Sequence, residues 1–211
     1  FGCRNDVSEV YSPPRIVSVA EAAGLRGGFS LDLTVPGPGG EVWDFSRKQC
    51  RDAALEMLRR DKPYLVIGSP PCTAYPNLQN LNACRPGGKE KVEAAGQRAR
   101  VHLIFCFRLY KEQIEAGRYF LHEHPRTAAS WIEKCMVDLM ANPCVMRAEA
   151  DQCAYGLTSK DKEGEAPAKK PTSFLTNSVC LARALSRKCP GCARHVQLIE
   201  GRAKAAQVYP K

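Results

Sequence analysis

Three groups of residues in the 211-residue chain have the types and spacing to do chemistry. The first is Ser69-Pro70-Pro71-Cys72-Thr73-Ala74-Tyr75, directly after the apolar run Tyr64–Gly68. Two prolines fix the backbone ahead of a thiol, and rigid placement is what a cysteine nucleophile needs. A buried, inert Cys72 is the plainer account of the same residue. The second group is His122-Glu123-His124, closing the run that starts at Tyr119. A strand-end carboxyl group can hold or protonate a heterocycle. The His-x-His pair suits a metal only if further ligands join it, and a structural role for His122 explains it as well. The third group is Cys180-x8-Cys189-x2-Cys192-x2-His195. A Cys-Pro-Gly-Cys turn presents two thiolates together, His195 can reach the same ion, and Cys180 would swing in from a helix to complete a zinc site. Inert thiols are the competing account. A redox pair is disfavoured because no strand precedes the motif.

These groups need a scaffold, and apolar periodicity supplies one. Strands are expected at Val7–Tyr11, Phe29–Leu33, Tyr64–Gly68, Tyr119–Glu123 and Ser173–Leu175, with marginal ones at Glu41–Phe45 and Cys144–Met146. Helices are expected at Arg15–Ala23, Arg47–Arg60, Lys89–Ala116, Thr127–Met140 and Ser178–Arg187. Ser69–Gly88 reads as a long loop and Thr158–Lys170 as a charged, mobile one. The alternation implies an α/β fold: a mostly parallel central sheet with helices on both faces, Rossmann-like. Residues 1–178 would form this domain, and 179–211 a basic tail with the zinc knuckle. Ligands of such sheets bind beyond the carboxyl ends of the strands. That edge gathers Tyr11, Asp32, Asp44, Cys72 and Glu123. Asp32 and Asp44 could equally be turn residues.

Lys and Arg number 31 against 22 Asp and Glu, a net charge of +9 that favours polyanions. Arg85–Arg118 holds eight basic residues against four acidic, and Lys160–Lys211 eleven against four. Such segments can contact phosphates without reading sequence, or can simply be solvated helix faces. Tyr75 could stack on a base, whereas core packing suits Trp131 better. No run approaches the ~20 apolar residues of a membrane span. Eleven cysteines, an odd number spread through helices and strands, indicate a reduced, intracellular chain rather than a disulfide scaffold. The opening on Phe1 suggests a piece of a longer protein.

Ser69-Pro70-Pro71-Cys72-Thr73-Ala74-Tyr75 resembles the Pro-Cys motif of the cytosine-C5 DNA methyltransferases, particularly compact phage-type and retroelement-associated relatives. His122-Glu123-His124-Pro125-Arg126, trailed by Ser130-Trp131, resembles that family's Glu-Asn-Val or Glu-Asn-Pro motif. Gln152-Cys153-Ala154-Tyr155-Gly156, Lys169-Lys170-Pro171-Thr172 and Thr176-Asn177 resemble its Tyr-Gly and Lys-Pro-Thr segments, in the right order. The resemblance spans roughly Glu9 to Asn177. It implies a methyltransferase fold and methyl transfer from S-adenosylmethionine to C5 of cytosine in DNA. Cys72 would add to C6, Glu123 would hold the ring near N3 and the exocyclic amine, and Lys169 or Lys170 would stand near the family's arginines, Lys170 being the residue taken for the site. The cofactor would lie among Glu9, Tyr11, Asp32, Asp44 and Pro70, with Asp32 on the ribose and Asp44 by the adenine.

Three departures are visible. The family's Phe-x-Gly-x-Gly turn is replaced by Glu9-Val10-Tyr11-Ser12-Pro13-Pro14, and its Asn beside the glutamate by His124. The 34 residues after Asn177 cannot form a target-recognition domain, so recognition comes from a partner protein, from outside this chain, or not at all. These departures leave room for two rival functions: a catalytically silent nucleic-acid-binding or assembly domain of the same descent, and an RNA cytosine methyltransferase.

Overall fold

A computed structural model describes residues 2–37, 39–72, 88–199 and 201–206. Tyr75, with the rest of the segment after Cys72 as far as residue 87, lies outside the described residues.

Strands β1 (Val7–Val10), β2 (Gly27–Leu31), β3 (Leu65–Gly68), β4 (Tyr119–Pro125), β5 (Met146–Asp151) and β8 (Pro171–Thr176) form one sheet in the order β2-β1-β3-β4-β8-β5. The pairs β1–β2, β1–β3 and β3–β4 are parallel. β8 is wedged antiparallel between β4 and β5, so it alone runs against the others. The helices are α1 (Ile16–Ala22), α2 (Lys48–Asp61), α3 (Gly88–Glu115), α4 (Lys134–Met140), α5 (Val179–Ala184) and α6 (Arg202–Ala205).

Alternating side chains divide the sheet into two buried faces. Val10, Leu31, Val66, Phe120 and Leu175 pack with Leu55 and Leu58 of α2, Leu103 and Leu109 of α3, and Leu139 of α4. The opposite face packs Val7 on Val17 and Ala20 of α1, and Leu121, Ala148 and Phe174 on Leu181 of α5. Each fully buried leucine contributes roughly 1.5–3 kcal/mol, which fixes the strand ends that carry the polar residues. Gly68 ends β3 where the Tyr110 ring of α3 crosses it, and any Cβ there would land on the Tyr110 hydroxyl.

The expectation of helices on both faces of a mostly parallel sheet holds, with four local corrections. Glu41–Phe45 is no strand: it makes a single bridge, Pro36 to Val42, because Trp43 and Phe45 turn their rings into the core. Thr127–Met140 divides into a 3-10 turn (Ala129–Ile132) and α4, with Trp131 buried and donating to the Pro125 carbonyl at 2.8 Å. The marginal strand at Cys144–Met146 starts at Met146 and continues to Asp151. The charged stretch Thr158–Lys170 is a hairpin of β6 (Thr158–Asp161) and β7 (Gly164–Pro167), turning at Gly164 with φ 104°. Its charges defeat apolar pattern reading, but Leu157 and Ala168 at its base are buried beneath the C-terminal tail. No helix among the described residues is long and apolar enough to cross a membrane.

Candidate functional site

Parallel strands β3 and β4 pair in register from Leu65–Tyr119 to Gly68–His122, so the chain leaving Gly68 emerges beside His122-Glu123-His124. The Pro70 carbonyl accepts a hydrogen bond from Nε2 of buried His124 at 2.9 Å. A proton on Nε2 leaves Nδ1 as acceptor for the Ser130 hydroxyl, 2.6 Å away, and burial holds the ring neutral by lowering its pKa. The proline loop is thereby tied to β4 one residue before Pro71-Cys72. His122 is also buried, its Nδ1 3.0 Å from the Tyr110 hydroxyl, and its pKa is driven well down by desolvation. Its Nε2 has no hydrogen-bond partner among the described residues, so its structural role is only half satisfied.

Cys72, Glu123 and Lys170 meet at this edge. Desolvation pushes the half-buried Cys72 thiol up, the Glu123 carboxylate pushes it further, and the Lys170 ammonium pulls it back. Burial lowers the Lys170 pKa while Glu123 and Cys72 oppose that shift. Lys170 takes a left-handed backbone, φ 27°, and donates from Nζ to the Ala206 carbonyl at 3.0 Å. One thiol, one carboxylate and one cation are thus within electrostatic reach of one another.

The other end of the edge is built differently. Glu9 is fully buried, its carboxylate accepting from the Ile16 and Val17 amides at the start of α1 (3.3 and 3.0 Å) and from the Ser30 hydroxyl (3.1 Å). Its side chain is committed to holding α1 against β2. Tyr11 adopts φ 62°, the conformation a glycine would take in that turn, and bears a cost of about 1–2 kcal/mol. Its ring is held against Phe45 and its hydroxyl lies 3.0 Å from Nδ1 of His102. Asp32 closes a turn through Oδ1, which accepts the Thr34 amide (3.0 Å) and hydroxyl (2.7 Å). Asp44 accepts from the Ser46 amide at 2.9 Å, and its pKa is lowered by the Ser46 hydroxyl and that amide. Both acids are turn residues, yet each still stands at the sheet's carboxyl edge. The turn keeps a glycine-like backbone at Tyr11 without the glycine.

A second cluster lies beyond β5. One ligand atom each from Cys153, Cys189, Cys192 and His195 falls within 4.8 Å of all the others. The Cys189 and Cys192 sulfurs are 3.9 Å apart, and Nε2 of His195 is 3.3 Å from the Cys189 sulfur. A tetrahedral ion with Zn–S bonds of ~2.3 Å spaces its sulfurs by about 3.8 Å. The four side chains are therefore compatible with coordinating a metal. Gly191, φ 91°, lets the Cys-Pro-Gly-Cys turn aim its amides at the Cys189 sulfur, and those N–H groups pull that thiol down to about 6. Cys180 does not belong: it is exposed on α5, and Cys153 takes the place expected for it. The reason is topological. Cys153 sits in the 3-10 turn Gln152–Tyr155 at the end of β5, whereas Cys180 lies in the first turn of α5, which starts just after β8 ends opposite Met146, at the other end of β5. Buried Asp151 completes the support by accepting the Cys189 amide at 3.0 Å.

Sequence reasoning missed Cys153, the His124–Pro70 tie and the Lys170–Ala206 contact. A cysteine three residues before a glycine, at the end of a strand, was the available signal for Cys153. The Thr176-Asn177 pair is structural here, since Asn177 accepts from the Phe120 amide at 3.0 Å and donates to the Arg118 carbonyl at 2.8 Å. Comparisons with protein-family models, curated proteins and solved structures find no match.

Proposed function

We propose that this chain is the catalytic domain of an S-adenosylmethionine-dependent methyltransferase acting on C5 of cytosine in DNA. The observation that carries the reading is the meeting of Cys72, Glu123 and Lys170 at the carboxyl edge of β3 and β4, each from a different motif of the resemblance. The mostly parallel sheet with one inserted antiparallel strand is compatible with a methyltransferase fold.

The target base leaves the duplex to reach the thiol. The Cys72 thiolate adds to C6, and the electrons of the C5–C6 double bond make C5 nucleophilic. Glu123 holds N3 and the exocyclic amine and offsets the charge that develops on the ring, and Lys170 supplies positive charge beside the thiolate. S-adenosylmethionine would be held by Asp32 at its ribose and by Asp44 and Pro70 at its adenine, and it would supply C5 with an electrophilic methyl group, leaving as S-adenosylhomocysteine. Loss of the C5 proton to solvent then expels the Cys72 thiolate and restores the ring. Basic residues of α3 and the tail contact phosphates, and target choice comes from a partner or from sequence outside this chain. The three thiolates and one imidazole suit zinc, held closed by protein ligands as a structural ion. Every described cysteine is free, in keeping with a reducing, intracellular setting.

The test is trapping. DNA carrying 5-fluorocytosine, with cofactor, should give a covalent protein–DNA adduct, because fluorine at C5 is not lost as a proton is. Cys72→Ser should abolish the adduct and spare salt-dependent DNA binding. An adduct formed equally well on a fluorinated RNA would move the substrate to RNA. The glycine-free turn at Tyr11 favours a second reading, a silent nucleic-acid-binding domain. That reading wins if calorimetry finds no S-adenosylmethionine binding and no adduct forms.

A further inference from the structure

The C-terminal tail has little regular structure, yet its described part reaches Lys170. Between α5 and α6 the described chain has neither helix nor strand. Its path is fixed at a few points. The Asp151 amide donates to the Arg187 carbonyl at 3.0 Å, and the Asp151 carboxylate holds the Cys189 amide. Arg194 pairs with Asp161 and Glu163 of the hairpin. The Val196 amide donates to the Pro167 carbonyl at 2.9 Å, with the Val196 side chain buried. Ala206 then packs with Leu157, Ala168 and Leu198, and its carbonyl receives Lys170 Nζ. Cys153 joins the same circuit from the other side, because the adjacent Gln152 amide donates to the Lys169 carbonyl at 2.8 Å.

A segment with so few backbone hydrogen bonds cannot hold one path against its conformational entropy without a crosslink. Three sulfurs and one imidazole nitrogen, all within 4.8 Å of one another, supply that crosslink once a metal ion joins them.

We propose that one zinc ion bound by Cys153, Cys189, Cys192 and His195 is the clasp of a strap, residues 189–199 and 201–206, that seats the Lys170 ammonium beside Cys72 and Glu123. This rests on the zinc reading of the cluster, and it is independent of whether the edge transfers methyl groups. Zinc binding thus acts at the catalytic edge through chain placement rather than through contact with substrate. Lys170 is held from two directions: its backbone by the turn that carries Cys153, and its Nζ by the strap that carries the other three ligands.

The full 211-residue chain serves for the test. Native mass spectrometry should find one zinc per chain, retained in Cys180→Ser and lost in Cys153→Ser. Removing zinc from the unaltered protein with a chelator should abolish hydrogen-exchange protection of the Val196 amide and the segment that ends at Ala206. It should also raise acylation of Lys170 by at least severalfold, with both changes reversed by added zinc. Val196→Ser keeps all four ligands, so it should bind zinc normally while exposing Lys170, a result that does not depend on Cys153→Ser folding. Absence of zinc from the unaltered protein, or retention of zinc by Cys153→Ser, would overturn the zinc reading. Zinc removed with tail protection and Lys170 labelling unchanged would overturn the strap and leave the metal site standing.

Discussion

His124 Nε2 donates to the Pro70 carbonyl across 54 residues of sequence, and this bond couples the β4 strand end to the loop that delivers Cys72. The second nitrogen is fixed by Ser130, so the ring cannot rotate without losing both partners. His124→Ala should leave a buried carbonyl unsatisfied, at a cost of about 1–3 kcal/mol in urea unfolding. His124→Gln, whose amide nitrogen can occupy the Nε2 position, should recover most of that stability. A positioning role predicts more: trapping by fluorinated DNA should fall in the alanine variant well beyond its loss of folded protein and return in the glutamine variant. If adduct formation merely tracks the folded fraction, His124 is structural only.

Cys72 should behave as a reluctant nucleophile with a tunable pKa. Burial and Glu123 hold the thiol above its usual range, and Lys170 opposes them. The pH profile of its alkylation, followed peptide by peptide because the chain has eleven cysteines, should rise later than that of a solvated thiol. Glu123→Gln removes a negative neighbour and should move the midpoint down. Lys170→Met removes the cation and should move it up. Shifts of the opposite sign would break the electrostatic account of this edge.

Acid should loosen the core through its imidazoles. Burial depresses the pKa of His122 and His124 in the folded chain below the unfolded value near ~6.5. The unfolded chain therefore binds protons first as the pH falls. Their contribution to stability is complete above about 6.5 and declines below it. Urea melts at pH 7.5 and pH 5 should show that loss. His122→Phe should flatten it, and an unchanged slope in that variant would assign the loss elsewhere.

Much of this arrangement was legible in the sequence because it depends on local pattern. The Tyr64–Gly68 run could only be a buried strand, and the prolines after it had to hold Cys72 at that strand's end. The parts that were not legible are long-range. Apolar periodicity places β8 but cannot state its direction, and its reversal is what starts α5, and so places Cys180, at the opposite end of β5 from Cys153. Cys153 and Cys189 meet only because β5 ends under the tail. Charged Thr158–Lys170 reads as a loop because its apolar contacts come from the tail and not from its own alternation. Tyr11 in a left-handed turn runs against residue preference, and the aromatic packing around its ring, with the His102 contact of its hydroxyl, sustains it.

Gly68 offers a direct check on how β3 is closed against α3. Its Cα lies under the Tyr110 hydroxyl, which donates to the Gly68 carbonyl at 3.3 Å and lies 3.0 Å from His122. A methyl group at this position has nowhere to go, because Tyr110 is fully buried and stacked on Phe120, with ring centroids 4.6 Å apart. Overpacking of this kind costs roughly 1–3 kcal/mol, so Gly68→Ala should lower the urea midpoint accordingly. Tyr110→Phe alone loses a buried hydrogen bond, but in the Gly68→Ala background it removes the colliding oxygen. The double variant should therefore be more stable than the sum of the two single losses predicts, a favourable coupling of at least ~0.5 kcal/mol. Simple additivity in that cycle would mean that the ring does not close on β3 as described, and the rigid base beneath Pro70 and Cys72 would go with it.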